Sequence, residues 1–339
     1  MPPRSNLKTV MDCSPDNIFT IENLRVAFTT DSGEVPAVDG ISLELSTGEC
    51  LGVVGESGSG KSQLFLAAMG LLASNGHASG SVRLQGRELL GLDRGSMNRI
   101  RGNLLSMIFQ DPMTAMTPHL RIGRQLSEVL SEHADYSHHE VQARILQALE
   151  RVNIPSAAER LRQYPHELSG GMRQRVMIAM ALLCSPLVLI ADEPTTALDV
   201  TVQADVLELL RELKQRDGVS IVLITHDLGV VANLCDRVLV MYAGKAVEHG
   251  STRQILQEPQ HPYTRGLLAS IPRLDQDPGT RLQMIPGQPP NLQNTLPGCA
   301  FAPRCSYRQA RCEVERPVLR PLGQQHFKAC HLDPGQEFP

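Results

Sequence analysis

A glycine-rich segment at residues 55–62, GESGSGKS, constrains the fold of this chain more than any other stretch. It fits the pattern G-x-x-x-x-G-K-[ST], follows the apolar run LGVV and precedes a helix-like segment. Its glycines allow a tight turn whose backbone N–H groups point inward and can bind phosphate. The lysine then reaches the β- and γ-phosphates, and the last serine offers its hydroxyl to Mg²⁺. A purely structural glycine-rich turn is the alternative. The predicted phosphate-binding residues are Gly55, Glu56, Ser57, Gly58, Ser59, Gly60, Lys61 and Ser62.

Two carboxylates follow a second apolar run, in the sequence LVLIADEP. Side chains alternate along a strand, so Asp192 and Glu193 should point in different directions at its end. We expect Asp192 to hold Mg²⁺ through water and Glu193 to act on the attacking water as general base or as its orienter. A pair of solvated acids at a strand end is the alternative.

Patterning along the chain predicts an α/β domain over residues 18–255. The continuous apolar runs at 187–192 and 219–227 are typical of strands that are buried on both faces, as in a parallel sheet. The segment from Ser62 to Leu72 is predicted to be a helix. Strands that alternate with helical patterns favour an α/β fold.

The two ends of the chain differ from this domain. Residues 1–17 lack an apolar stretch and are predicted to be a flexible lead with no secretory signal. From residue 256 to 339 Pro becomes frequent, apolar periodicity fades and four of the eight Cys occur, which indicates a separate small extension. The longest apolar tract, Val176 to Ala191, is shorter than a membrane span and contains a Ser185-Pro186 break. It is predicted to be a buried helix, a turn and a buried strand of a soluble protein.

Charge and aromatic content argue against a nucleic-acid partner. The net charge is −4, and the 32 Lys and Arg residues are scattered along the chain. Only 4% of the residues are aromatic and none is Trp, so a surface for stacking bases is not expected.

The sequence LSGGM at 168–172, followed by RQR, resembles the signature motif of ABC transporter ATPases. The resemblance implies a P-loop ABC nucleotide-binding domain with a RecA-like core, an antiparallel β subdomain and a helical signature subdomain. It also implies that Ser169, Gly170 and Gly171 close over the γ-phosphate of an ATP held by a second ABC ATPase subunit. Met172 departs from the family, where Gln is more common. A serine-capped helix with a glycine-rich start is the alternative for these residues.

Further positions of the same family follow in order along the chain. By this resemblance Gln110 senses Mg²⁺ and water and contacts the membrane subunit, and His226 contacts the γ-phosphate. Asp199, in Ala197-Leu198-Asp199, belongs to a loop that crosses the dimer. Phe28 occupies the position of the aromatic residue that stacks on adenine, where Tyr is more common.

The C-terminal sequences HPYTRGLLASIP and IPGQPPNL resemble those of ATPases from oligopeptide and dipeptide importers, most closely the D-type ATPase of an oligopeptide permease. This implies a bacterial importer with a second ATPase, two transmembrane permease subunits and an extracytoplasmic peptide-binding protein. The chain would lie at the cytoplasmic face of the inner membrane. Import of nickel, glutathione or antimicrobial peptides, an ABC ATPase outside transport, and a small-molecule phosphotransferase are the alternatives.

Cys299, Cys305, Cys312 and Cys330 are separated by 5, 6 and 17 residues. They lack the close pair of cysteines with which zinc sites usually begin, while four thiolates are the normal complement of a [4Fe–4S] cluster. Importer ATPases that resemble this chain carry such a cluster in the extension. A structural [4Fe–4S] cluster is therefore the leading prediction, with zinc or free thiols as alternatives. Small apolar roles are expected for the remaining cysteines, which are Cys13, Cys50, Cys184 and Cys235.

Overall fold

The computed structural model describes residues 17–111, 115–133, 136–196, 199–271, 284–293, 297–323 and 325–333. Three of the predicted features lie wholly or mainly outside these residues: the lead at 1–17, Cys13, and the Ala197-Leu198 part of the dimer-crossing loop.

Most of the described strands belong to one large sheet, in which five adjacent strands are parallel. The described residues form the strands β1 (Asn17–Thr30), β2 (Gly33–Ser46), β3 (Cys50–Val54), β4 (Gly76–Leu84), β5 (Arg87–Glu88), β6 (Leu105–Ile108), β7 (Val188–Asp192), β8 (Ser220–Thr225), β9 (Arg237–Tyr242), β10 (Lys245–Ser251), β11 (Arg320–Gly323) and β12 (His326–Lys328). The large sheet has the order β11-β12-β10-β9-β3-β8-β7-β6. Strands β9, β3, β8, β7 and β6 pair in parallel, whereas β10, β12 and β11 continue the sheet antiparallel. A smaller antiparallel sheet has the order β2-β1-β4-β5.

Both apolar runs that predicted parallel strands form them. Every residue of β7 and of β8 is buried. Along β7, Leu189 and Ala191 pack into one apolar core, while Val188 and Ile190 pack into another. Since strand side chains alternate, the sheet is covered on both faces, as the continuous apolar sequence requires.

The helices cover the sheet and build a second layer. Those in the described residues are α1 (Lys61–Ala68), α2 (Arg94–Asn98), α3 (Ile122–His133), α4 (His138–Arg151), α5 (Ala157–Arg160), α6 (Gly170–Leu182), α7 (Val200–Asp217), α8 (Leu228–Leu234), α9 (Thr252–Gln257), α10 (Pro262–Ala269) and α11 (Arg311–Val314). The tract from Val176 to Ala191 is a helix, a turn and a strand, as predicted. The helix predicted to reach Leu72 ends at Ala68, because Gly70 adopts a left-handed φ of 60°. No helix within the described ranges combines the length and apolar character that spanning a bilayer needs.

Strand β12 joins the C-terminal extension to the large sheet. It pairs with β10 through Glu248 and Lys328, and through His249 and Phe327. The Glu248 carboxylate is fully buried and lies 2.8 Å from His326 Nε2. It also accepts hydrogen bonds from the backbone N–H groups of Gln260 and His261. Backbone pairing and a satisfied buried carboxylate therefore attach the extension to the sheet.

Candidate nucleotide site

The glycine-rich segment forms a turn between β3 and α1, at the carboxyl end of the parallel strands. Gly58 and Gly60 adopt left-handed φ values of 77° and 95°. A Cβ at Gly60 would lie 2.3 Å from the carbonyl oxygen of Ala37, so only glycine fits there. The Lys61 ammonium donates to the carbonyl oxygens of Gly55 at 2.7 Å and Glu56 at 2.9 Å. The lysine that the sequence assigns to phosphate is therefore held inside the loop.

Electrostatics at Lys61 link the loop to the two carboxylates at the end of β7. Burial lowers the pKa of the Lys61 ammonium, while the charges of Glu193 and Asp192 oppose that shift. The predicted phosphate-binding lysine and the predicted acidic pair thus form one site at the carboxyl ends of β3 and β7, which flank β8 in the sheet.

Asp192 has the surroundings of a magnesium ligand. Its carboxyl group is buried, and its Oδ1 has no hydrogen-bond partner. Burial raises the pKa of the Asp192 carboxyl, a hydrogen bond with the Ser62 side chain lowers it, and the charge of Glu193 raises it. A buried carboxylate oxygen without a partner, beside a hydroxyl group, is a donor set that fits Mg²⁺, which prefers oxygen ligands.

Glu193 is the centre of a polar cluster at the end of β7. Gln110 Nε2 donates to Glu193 Oε2 at 3.2 Å, and His226 Nδ1 lies 3.4 Å from Glu193 Oε1. The backbone of Glu193 has a left-handed φ of 45°, and its N–H donates to the carbonyl of Ile224 at 2.9 Å. The structure therefore brings together the three residues predicted to act in catalysis. A strained backbone at such a position is typical of functional sites.

Thr196 was not predicted from the sequence as a site residue, yet its hydroxyl donates to Glu193 Oε2 at 2.8 Å. The spacing of three residues in a turn after the strand was the only signal that could have identified it. Thr196 and Gln110 share one carboxylate oxygen and leave Oε1 to His226.

Two more residues of the phosphate site come from the C-terminal extension, and the sequence analysis missed both. The Glu56 backbone N–H donates to the Tyr263 hydroxyl at 2.8 Å. The Glu56 carboxylate pairs with the Arg304 guanidinium, with bonds of 2.6 and 3.0 Å. They lie 207 and 248 residues from Glu56, so no local pattern indicates these contacts.

The signature residues lie at the start of α6. The Ser169 hydroxyl accepts from the Met172 N–H at 3.3 Å and caps the helix. A Cβ at Gly171 would lie 2.9 Å from Val202 Cγ1, whereas a Cβ at Gly170 would meet no atom within 4 Å. Gly170 is exposed, which leaves the helix start open to an anion from outside the chain.

Asp199 and Phe28 stand apart from the cluster around Glu193. Asp199 is exposed at the N-terminus of α7, and Phe28 is half-buried on β1. The Phe28 ring lies against the backbone of Gly76, where a Cβ would approach it to 2.7 Å. Within the described part of the chain, neither side chain hydrogen-bonds to the phosphate loop or to Glu193. Both remain predictions for contacts with nucleotide or with a partner.

The four C-terminal cysteines line one small pocket, which also contains His261 and Phe301. Cys299 and Cys312 are joined by a backbone hydrogen bond of 2.8 Å, and burial raises the pKa of Cys305 to about 11. No three His, Cys, Asp or Glu side chains among the described residues form a group that could hold a metal ion. The metal site predicted at these four cysteines, whether a [4Fe–4S] cluster or zinc, therefore remains a prediction.

Two of the other cysteines have the buried, apolar surroundings that the sequence predicts. Cys50 and Cys235 are buried, with their sulfur atoms 3.6 Å apart, and Cys184 is half-buried.

Comparison with known proteins identifies two regions of the chain. Residues 38–196 match the family model described as ABC transporter, and residues 247–312 match that of the oligopeptide/dipeptide transporter C-terminal region. The chain is 51% identical to the oligopeptide transport ATP-binding protein OppD of Salmonella typhimurium, over 93% of this chain and 94% of that protein. It is 49% identical to the dipeptide transport ATP-binding protein DppD of Bacillus subtilis, over 94% and 95%.

A solved structure shares the fold. It is a dimeric ATP-binding cassette in a post-hydrolysis state, bound to ADP and Pi. It superimposes with a TM-score of 0.62 at 25% identity, covering 69% of this chain and 99% of that chain. The α/β cassette predicted from the sequence is thereby confirmed.

Proposed function

Because the chain belongs to the family of ABC transporter ATP-binding subunits, among those of oligopeptide and dipeptide transporters, we propose that it hydrolyses ATP to power a bacterial peptide importer. The meeting of Gln110, His226 and Glu193 beside Lys61 supports this function most directly. A phosphate-binding loop alone would suit many reactions. A carboxylate held between an amide and an imidazole at that loop is suited to activating water.

Each side chain has a role in this reaction. The backbone N–H groups of the loop and the Lys61 ammonium bind the β- and γ-phosphates. Glu193 accepts a proton from the attacking water or orients it, Gln110 and Thr196 hold the carboxylate, and His226 donates to the γ-phosphate. When bound, Mg²⁺ supplies positive charge to the phosphate oxygens, and Ser62, Asp192 and Gln110 are the residues that would hold it. Phe28 stacks on adenine.

Two subunits complete each site. Gly170 is exposed, and Ser169 already caps its own helix, so the helix start can bind the γ-phosphate of an ATP on a second ABC ATPase. The solved relative with ADP and Pi is a dimer. Asp199 is exposed at the start of α7, the helix whose Val202 lies beside Gly171, and would cross to that partner. Closure around two ATP molecules would then move the segment near Gln110, which contacts the membrane subunits.

We expect Gly170→Asp to prevent this closure without harming nucleotide binding by the isolated chain. A carboxylate beside a γ-phosphate is repelled by it, so hydrolysis should fall at least ~10-fold. Gly170 is preferred to Gly171, because a side chain at Gly171 would also displace Val202. The neutral Gly170→Asn is the matched control and should retain most of the activity. Equilibrium binding of ATP to the isolated chain should stay within about twofold. A large loss of ATP binding by the isolated Gly170→Asp chain would mean that the signature motif acts on the ATP bound to its own subunit.

The partners follow from the same family. This chain would assemble at the cytoplasmic face of the inner membrane with two transmembrane permease subunits, a second ATPase and an extracytoplasmic peptide-binding protein.

Co-purification with two membrane proteins distinguishes this function from an ABC ATPase outside transport. Uptake by a deletion strain, with peptides and nickel as competing cargoes, tests the cargo. Nickel uptake without peptide uptake would overturn peptide import.

We divide the chain into an ATPase domain at 18–255 and a C-terminal extension at 256–339 that carries a structural [4Fe–4S] cluster. The four thiols that line one pocket are the donor set this cluster uses. The described residues of the extension bury few large apolar side chains, among them Tyr263, Phe301 and Leu332, so a bound cluster would stabilise it.

Protein purified without oxygen should be brown and contain about four irons per chain. Cys305→Ser should remove the colour and increase protease cleavage after residue 285, because the cluster would lose a ligand. Hydrolysis should remain measurable, since Lys61, Glu193 and His226 lie outside the extension. Cys184→Ser, at a half-buried cysteine outside the pocket, is the control and should stay brown. Zinc instead of iron would contradict the cluster, and neither metal with unchanged proteolysis would contradict any metal in the extension.

A further inference from the structure

The C-terminal extension holds the second residue of the phosphate loop at both its backbone and its side chain. Tyr263, on α10, accepts the Glu56 N–H at 2.8 Å. Arg304 makes a two-pronged pair with the Glu56 carboxylate, with Nη1 at 2.6 Å from Oε2 and Nη2 at 3.0 Å from Oε1. Paired bonds between charged groups are stronger and more directional than single neutral ones. Glu56 is therefore fixed by residues outside the ATPase domain.

Arg304 is itself fixed, so it can act as a rigid support. Its side chain is 5% exposed, against 25% for Glu56. Its Nε donates to the carbonyl of Pro286 at 2.9 Å, and Nη2 donates to that of Ile285 at 3.3 Å. Nη1 also donates to the Tyr242 hydroxyl at 3.3 Å. The guanidinium is thus satisfied on several sides, and its position does not depend on Glu56 alone.

Glu56 transmits this support to the residue that binds phosphate. Its carbonyl oxygen accepts from Lys61 Nζ at 2.9 Å, so one residue connects Arg304 to the phosphate-binding lysine. Its carboxylate also adds a negative charge to a loop that must bind a highly charged triphosphate. Without the guanidinium, that charge would repel ATP. Arg304 both neutralises Glu56 and holds the loop in one conformation, which lowers the cost of binding.

Docking of the extension does not depend on Arg304. Tyr242, Tyr263 and Phe301 form an aromatic cluster between the ATPase domain and the extension, with ring centroids 4.6 to 5.4 Å apart. Strand β12 adds backbone pairing with β10. These ring and backbone contacts do not include the Arg304 guanidinium, so we expect the extension to stay docked when Arg304 is replaced.

We propose that Arg304 is a positioning residue for the phosphate loop, through which the Cys-rich extension sets the affinity of the ATPase domain for ATP. This inference rests on the proposed ATP hydrolysis and assigns a new residue to it. Among the described residues, Arg304 reaches the phosphate loop through the Glu56 side chain. Its loss should therefore change ATP binding and leave the chemical step intact.

The test is a double-mutant cycle on the full-length chain, with equilibrium binding of Mg-ATP and steady-state hydrolysis as readouts. Arg304→Gln should raise the Kd and the KM for ATP about 10-fold and keep kcat within about twofold. Glu56→Gln should change KM by only about threefold, because it removes the repelling charge together with the pair. In the Glu56→Gln background, Arg304→Gln should cause little further increase in the Kd and the KM for ATP. Arg304→Lys should bind ATP more tightly than Arg304→Gln does, since lysine keeps the positive charge but cannot form the paired bonds. Arg308→Gln, at an exposed arginine of the extension paired with Glu313, is the control and should match the parent protein.

Each outcome is decisive. If the parent protein does not bind Mg-ATP, the proposed function fails before the inference is tested. If the parent binds and Arg304→Gln binds equally well, Arg304 does not position the loop. An equal loss of affinity in both Glu56 backgrounds would show that Arg304 does not act through Glu56, which overturns the inference. If Arg304→Gln is unfolded, Arg304→Lys is measured instead, in the parent protein and in the Glu56→Gln variant. An equal loss of affinity for Mg-ATP in both backgrounds would overturn the inference.

Discussion

Glu193→Gln is expected to slow ATP hydrolysis by ~10²–10⁴-fold, the usual cost of losing a general base. The amide keeps the size and shape of the side chain, so Thr196 and Gln110 can still contact it. ATP should bind with nearly the parent affinity, and two subunits should stay closed around unhydrolysed ATP. Single-turnover hydrolysis measures the rate. Size-exclusion chromatography with Mg-ATP measures the trapped dimer.

Glu212→Gln is a suitable control for this substitution. Glu212 lies on α7, where its carboxylate is 3.7 Å from Arg216 on the helix surface. An exposed pair of this kind contributes little, so hydrolysis should be unchanged. Hydrolysis by Glu193→Gln at the parent rate would show that the water is activated elsewhere and that the cluster around Glu193 is structural.

Gly60→Ala should weaken ATP binding at least ~100-fold, which corresponds to about 2.7 kcal/mol. Its φ of 95° is strained for a residue with a side chain, and the added Cβ would lie 2.3 Å from the Ala37 carbonyl oxygen. Since that neighbour is backbone, the loop itself must move. Lys61 directly follows, so the movement displaces the phosphate-binding amine. Calorimetric titration with Mg-ATP measures the loss, and thermal unfolding should occur at a lower temperature.

Gly58→Ala separates the effect of backbone strain from the effect of the clash with the Ala37 carbonyl oxygen. Gly58 also has a positive φ, of 77°, but a Cβ there would meet no atom within 4 Å. Only the conformational cost applies, and we expect ATP binding to weaken less than ~10-fold. Equal effects of the two substitutions would mean that the contact with Ala37 has no influence on the loop.

Much of the site was predictable because its parts are local. The glycines that turn the chain, the lysine that follows and the acids at the end of β7 each lie next to the element that positions them. Apolar runs predicted the strands β7 and β8, whereas the strand order that brings Lys61 near Glu193 was not predicted and is seen only in the structure. Thr196 could have been predicted in the same way, since it follows Glu193 by three residues.

The contacts of the extension were not predictable from local sequence. Tyr263 and Arg304 reach Glu56 across 207 and 248 residues, and their positions depend on how the extension folds over the domain. Strand β12 has only three residues, too few for an alternating pattern to be recognised. The helix start at Gly170 is the opposite case, because its motif predicted a γ-phosphate ligand while that ligand is proposed to lie on another subunit.

The pairing of β12 with β10 also covers one edge of strand β10. A strand at the edge of a sheet presents unpaired N–H and C=O groups, which can recruit the edge of another molecule and begin aggregation. Here His249 and its neighbours on β10 face β12 instead of solvent. A fragment that stops after α9 would leave that edge bare, and it would also leave the buried Glu248 carboxylate without His326. The C-terminal extension is therefore expected to keep the ATPase domain monodisperse, and fragments made without it should form insoluble aggregates.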